Sequence, residues 1–415
     1  MNFRSSLFLC IPTILLFVSI DGSGQSFDYF NDRFSSRDRI FGLKLDNYLS
    51  NNTLVGSFVL DYINGNFITE EEKNKCISNF GKDQIKFAEI FNTAASYQKR
   101  IGKSKYFFGL EVGEHVHYET EAHRDLFVLL FKGNKIFENK SASLDPLQIR
   151  LLQYLFLKVS LSKEAGPLSF YASIGYTGGQ RLLDLKTNKG SLFTANEGKY
   201  VDLNLGLTSI DVSPAATALF SLSGSGMIVD GGIRYDVSKS TRVSLDLNGL
   251  GYIKWNKGIT ERIVDTAYRF EGVVISNVLD SVSIAIKNVE ELKSSFISER
   301  ELDHVKSTLP FTVSFGLSQF IIPERVQFGI KYQYLNSDIS KHFYALSLNY
   351  YLSKNLLVGM NANIAGFGNW NIGPQLALTI LDRMYVHFYF NSLSNLVDPD
   401  QPVSLTGGIN FKIGL

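Results

Sequence analysis

Cysteine is nearly absent from this 415-residue chain: Cys10 lies near the start, and Cys76 is the other one. A disulfide framework is excluded, and so is a thiolate metal cluster. Charge of one sign is also missing. Lys and Arg number 41 against 40 Asp and Glu, without the basic excess that nucleic-acid binding usually needs. Beyond residue 20 no apolar run approaches the ~18 residues of a membrane-spanning helix. If this chain is in a membrane it crosses as a closed barrel, because only helices and closed barrels satisfy their backbone groups in lipid. Proline is scarce at 9 residues, whereas glycine (34), tyrosine (20) and phenylalanine (32) are plentiful. That balance suits many twisted strands with aromatic ends.

The start of the chain reads as a processing signal. Met1 to Arg4 is short and basic, Ser6 to Ile20 is apolar, and Gly22-Ser23-Gly24 supplies small residues. This order predicts a cleaved secretory leader over residues 1–24. Residues 25–53 are polar and weakly patterned, which leaves a plug, a periplasmic tail or a first strand open. Residues 54–415 are expected to form the barrel.

The evidence for strands is period-two alternation. Tyr344, Leu346, Leu348 and Tyr350 oppose Ala345, Ser347 and Asn349, and Val326, Phe328, Ile330 and Tyr332 oppose Gln327, Gly329 and Lys331. Val243, Leu245 and Leu247 oppose Arg242, Ser244 and Asp246, and Val201, Leu203, Leu205 and Leu207 oppose Asp202, Asn204 and Gly206. Such segments have one apolar and one polar face. They run longer than the ~5–6 residues usual for soluble strands. Their off-face is small or charged, as a wet lumen allows, and aromatics crowd their ends. The fold class expected is all-β: a transmembrane antiparallel β-barrel of about 14 strands, within a range of about 12 to 16.

Turns agree. The connections at Asp236 to Ser240, Ile322 to Glu324, Leu352 to Asn355 and Leu381 to Arg383 are short. They alternate with longer ones at Ser337 to Ser340, Gly366 to Asn371 and Ser392 to Pro402. The closing segment, Val403 to Leu415, is amphipathic. Its outer residues Phe411, Ile413 and Leu415 form the pattern read by the barrel assembly machinery, with leucine where an aromatic is usual. That machinery and outer-membrane lipid are the partners expected. The location expected is the cell outer membrane.

One segment departs from period two. Over residues 277–303 the apolar residues Val282, Ile286, Val289, Leu292 and Phe296 recur every three or four positions among charged ones. This predicts a helical insert in a barrel connection: a helical loop packed on the barrel rim, or more sharply a lid over the lumen or a docking helix for surface-complex proteins.

Several stretches carry a family resemblance: Phe131-Lys132-Gly133-Asn134, Phe170 to Gly179, Gly224 to Gly232, Leu250 to Trp255 and Tyr268 to Val273. Their order resembles an uncharacterised family of Bacteroidota outer-membrane proteins, a domain of unknown function that looks like a distant relative of fatty-acid-transporter type barrels. The resemblance implies a secretory leader and an outer-membrane barrel, and brings no catalytic residue. Some barrels of this general shape serve as accessory proteins of surface secretion and gliding systems.

Chemistry is sparse. His115 and His117 share a strand face with Glu111, short of a convergent metal site, so no metal and no cofactor is expected. No serine stands in a nucleophile-elbow context, and the chain is not read as an enzyme. The lumen-facing candidates are Asp202, Arg242, Asp246, Lys254, Lys331 and Lys412. Two functions fit: a channel or transporter for a small solute, or a non-conducting scaffold or accessory barrel of a surface complex. Apolar residues assignable to the lumen, such as Tyr171, are too few to argue for a hydrophobic-ligand channel.

Overall fold

Side chains on successive strand residues point to opposite faces, so a strand with one apolar face must bury it or give it to lipid. Here the strands give it to lipid. In the computed structural model, which describes residues 37–80, 84–213, 221–271, 296–337, 339, 341–365, 369–398 and 400–415, Leu346, Leu348 and Tyr350 are exposed on one face while Phe343, Asn349 and Tyr351 are buried on the other. The leader at 1–24 lies outside the described residues.

The strands are β1 (Arg39–Val55), β2 (Gln84–Arg100), β3 (Tyr106–His123), β4 (Lys140–Ser143), β5 (Leu147–Ala165), β6 (Leu168–Thr194), β7 (Val201–Val212), β8 (Gly224–Asp236), β9 (Thr241–Trp255) and β10 (Ile259–Phe270). They continue with β11 (Ile297–Glu301), β12 (Val305–Thr308), β13 (Thr312–Ile322), β14 (Val326–Leu335), β15 (His342–Ser353), β16 (Leu356–Ala365), β17 (Asn369–Ile380), β18 (Met384–Asn391) and β19 (Pro402–Gly414). Four helices are placed between them: α1 (Gly56–Asn64), α2 (Glu70–Ser78), α3 (Arg124–Lys132) and α4 (Leu393–Val397).

A closed antiparallel barrel of 14 strands results. Its circuit runs β1, β2, β3, β5, β6, β8, β9, β13 and then β14 to β19 in order. The last strand returns to the first, with Ile40 opposite Gly414 and Ser50 opposite Ser404, so the wall has no open edge. The N-terminal stretch is therefore a wall strand from Arg39, and the barrel begins earlier than residue 54.

The short turns joining neighbouring wall strands at 101–105, 166–167, 237–240, 323–325, 354–355 and 381–383 lie at one end, together with Arg39 and Leu415, whose backbones bond to each other (Leu415 N–H to Arg39 O, 2.8 Å). Barrels of this kind keep short turns on the periplasmic side. The α-helices among the described residues and the remaining strands therefore sit at the outer end.

There, β6 runs on past the wall and continues as a ribbon. Its far half pairs with β7, β7 with β10, and β10 with β11. Two expectations are corrected by this ribbon. The alternating segment at Val201 to Val212 is ribbon, not wall. The segment expected to be helical through residue 303 becomes strand at Ile297–Glu301, because those residues complete a ladder with Thr260 to Val264. The rest of the insert, 277–295, lies outside the described residues.

Helices α1, α2 and α3 pack around Phe58, Cys76 and Phe127 as a small core beside the mouth. Cys76 is on α2 and fully buried. The helix starts with a capping box: the Glu72 N–H donates to Thr69 Oγ1 (3.2 Å) and the Thr69 N–H donates to Glu72 Oε2 (2.8 Å). Burial pushes the Cys76 thiol up to about 11, so little reactive thiolate forms while the cap is closed. Thr69→Ala should cost about 1 kcal/mol of cap stability, which is roughly a fivefold faster labelling of Cys76 by a disulfide reagent such as dithiodipyridine. An unchanged rate would mean that α2 is held without its cap. The Thr69 backbone and hydroxyl donors also hold Glu72 below its ordinary range. A lowered carboxylate stabilises above its unfolded value and stops doing so as pH falls through the folded one. Relative to a free thiol at the same pH, labelling of the wild type should therefore speed up as pH falls.

The barrel lumen as candidate functional site

Inward positions follow from the register. The structure leaves some of the predicted lumen residues there and moves others out. Asp246 and Lys331 are buried, inward and within electrostatic reach of each other on the β9, β13 and β14 wall. Arg242 and Lys412 face inward near the periplasmic end, where Arg242 Nε donates to Asp236 Oδ1 (2.5 Å) and Lys412 stands beside Gly42 and Tyr385. Asp202 is not in the lumen. It lies on the ribbon, where Arg269 Nε donates to its Oδ1 at 2.7 Å and holds its carboxyl below the usual range.

Lys254 faces outward. Gly249, at φ +81°, is the extra residue of a bulge on β9, so that Val229 and Gly231 of β8 oppose Leu250 and Leu247. One extra residue inverts the faces of everything beyond it. Ile253 and Trp255 thus turn inward, and Lys254 turns out. At the closing strand, Phe411 and Ile413 occupy the outward face with Leu415 at its end. Of the proposed lid residues, Val282, Ile286, Val289 and Leu292 lie outside the described residues. Phe296 is described, and its ring is 5.3 Å from that of Tyr268 on the ribbon.

The same frame change assembles a site that the alternation conceals. On the wall from β5 to β9, Leu152, Tyr154, Phe156, Leu182, Ile228, Ile253 and Trp255 form a buried apolar cluster. It extends to Val212 and Ile259 at the ribbon base and to Leu309 before β13. Trp255 has no solvent exposure, and its indole N–H donates to Ser307 Oγ at 2.8 Å. A side chain at Gly179 would meet the ring atoms of Trp255 at 2.6 Å, so glycine there makes room for the indole. Register gave no hint of this lining. The one available signal was Leu151 to Val159, where apolar residues occupy both strand faces.

Polar groups flank the cluster. Toward β3, the His115 ring lies 4.9 Å from that of Tyr154, and His117 Nε2 is 3.2 Å from Glu119 Oε2. Glu119 also accepts from the hydroxyl of Ser337, which comes across the lumen from the connection after β14. Below the cluster, Lys158 Nζ lies 2.7 Å from Glu111 and 2.8 Å from Asp230. Asp230 further accepts from Ser173 Oγ (2.9 Å) and from the backbone N–H of Gly249 (2.7 Å), which ties the charge centre to the bulge.

The wall from β14 to β19 is a hydrogen-bonded polar sheet face. Tyr351 donates to Gln327 at 3.0 Å, Gln375 donates to Asn349, and His387 Nε2 is 3.2 Å from Gln375 Oε1. Ile40, Tyr351, Leu357 and Tyr385 pack together at the periplasmic end, while Tyr48 meets Phe343 across the lumen at 5.1 Å. Inward side chains thus pack on one another at several depths. Among the described residues no cluster of three or more His, Cys, Asp and Glu is arranged to hold a metal ion.

Comparison with solved structures finds several similar barrels at low identity. The toluene transporter TbuX of Ralstonia pickettii is similar at 10% identity, with 92% of this chain and 90% of that one covered and a TM-score of 0.47. The toluene transporter TodX of Pseudomonas putida is similar at 10%, with 93% and 92% covered and a TM-score of 0.44. A FadL homologue of Pseudomonas aeruginosa is similar at 10%, with 91% and 90% covered and a TM-score of 0.41. These likenesses are of fold. No curated protein sequence matches the chain. A family of unknown function, DUF5723, matches residues 40–390.

Proposed function

The chain belongs to DUF5723, a family of unknown function, and we propose that it is a gated transporter that admits a small, largely apolar solute from the outer end of the lumen. The observation that carries this reading is the apolar lining around Trp255, on an inner face where a water-filled pore would be polar. Apolar lining with a few fixed polar groups at its edge is the usual composition of a small-molecule site. His115, His117 and Glu119 are those groups here. Transport requires that the packed lumen open, and residues 277–295 serve as a lid in this reading.

The test uses Trp255 itself. Trp370 is outward and exposed, so in a Trp370→Phe background the fluorescence reports the cluster. A brominated alkane should quench Trp255 saturably, and Leu152→Gln should weaken that quenching. Quenching that rises linearly and equally in both proteins would sink the proposal. Deleting residues 277–295 should raise solute entry into liposomes if they act as a lid.

A second reading is favoured by the strut from Ser337 to Glu119 and the paired charges at Lys158: a closed barrel that serves a surface complex as a scaffold. Absent quenching, absent conductance and an intact heat-modifiable barrel would together support it.

A further inference from the structure

On the outward wall beyond the apolar band, Lys254 of β9 and Lys306 of β12 are direct cross-strand partners. Both are exposed. Like charges directly opposite on a sheet face destabilise it. Among the described residues neither ammonium makes an ion pair, and Lys306 Nζ rests 4.2 Å from the centre of the Tyr252 ring. Beside them on the same face comes Ser225, opposite Lys254 in the ladder and itself exposed, and beyond it Gly178, over which the Leu222 side chain lies.

The rows beneath complete the pattern. Two residues toward the periplasmic end, the outward row is Tyr176, Met227 and Tyr252. Two further, it is Ile174, Val229 and Leu250, of which Ile174 and Leu250 are widely exposed. Aliphatic, then aromatic, then cationic is the order in which a wall passes from acyl chains through the interface to the headgroups. The helices and ribbon mark this end as the outer one.

We propose that Lys254 and Lys306 form a site for the phosphorylated headgroup of an outer-leaflet lipid, whose acyl chains lie along the Tyr176 and Ile174 rows. An anion between the two ammonium groups removes their mutual repulsion. A lipid also covers the apolar rows directly below, which an acidic protein loop would leave bare.

The test is native mass spectrometry of the refolded full chain in detergent with bis-phosphorylated lipid A as the probe. Wild type is compared with Lys254→Gln/Lys306→Gln, and lipid A with its dephosphorylated form. Both lysines are exposed, so the variant should keep heat-modifiable mobility; Lys254→Arg/Lys306→Arg, which retains the charge, controls for any loss of fold. The proposal expects the neutral double variant to lose on the order of tenfold to thirtyfold in affinity, the arginine variant to retain it, and the dephosphorylated lipid to bind wild type correspondingly weakly. Equal binding by wild type and the glutamine variant overturns it, as does equal binding of both lipids. Displacement of the lipid by inorganic phosphate at matching concentration also overturns it, since the site would then read a bare anion.

Discussion

Lys158→Met should destabilise the barrel by about 3 kcal/mol, measured as a shift in the urea midpoint of the refolded protein. Its ammonium lies between Glu111 and Asp230, and Asp230 is buried. Removing the cation strands a buried carboxylate, which costs more than the pair contributes when intact. The loss falls at the low end of the usual range for two reasons. Glu111 is more than a third exposed and keeps much of its hydration. Asp230 retains its bonds from Ser173 and Gly249. A companion variant separates charge from packing. Lys158→Met with Asp230→Asn removes both members of the pair, and it should recover to within about 1 kcal/mol of wild type. If the double variant is as unstable as the single one, the lysine acts through its packing on the Phe156 ring, 4.4 Å from Nζ, and not through its charge.

Trp255→Ala is expected to do more. A buried Trp→Ala change costs about 3–5 kcal/mol, from lost transfer energy and the cavity left behind. Trp255 joins the β9 wall to the ribbon base, so the loss should be local first: the β7 and β10 ribbon should become sensitive to protease while the wall keeps its heat-modifiable mobility. Trp255→Phe, which refills most of the cavity, should preserve most of the stability. A ribbon that stays resistant in Trp255→Ala would show that the apolar cluster does not hold it down.

Much of the barrel was legible in the sequence because its signal is local and repeated. Alternation at Tyr344 to Tyr350 and at Val326 to Tyr332 names the faces directly, and the short turns name one end. The lumen was less legible, and the reason is also physical. Alternation assigns apolar residues to lipid only while strand register is unbroken. Gly249 shifts β9, and β5 with β6 carries a second irregularity between Gln153 and Tyr154. Beyond these points the rule names the wrong face, so Lys254 reads as lumen and Trp255 as an outer aromatic. Asp202 failed differently: its alternation is real, but it belongs to a ribbon beyond the wall. Nothing in a period of two tells a wall strand from its extension. The cross-lumen meeting of Glu119 with Ser337 joins residues 218 positions apart and leaves no local trace.

The bulge at Gly249 makes β9 behave like a message with a frameshift. Upstream of it every even-numbered residue from Arg242 to Asn248 faces the lumen, and downstream the odd ones do. If that glycine were drawn into the ladder as an ordinary strand residue, one phase would run through to Trp255 and exchange the indole for a lysine on the inner surface; deleting it would leave Trp255 inward and Lys254 outward, as they are now. The chemistry of the lumen mouth therefore depends on the parity of a count, and one residue added or lost between Leu250 and Trp255 would be expected to change what the barrel encloses more than most substitutions of the enclosed residues themselves.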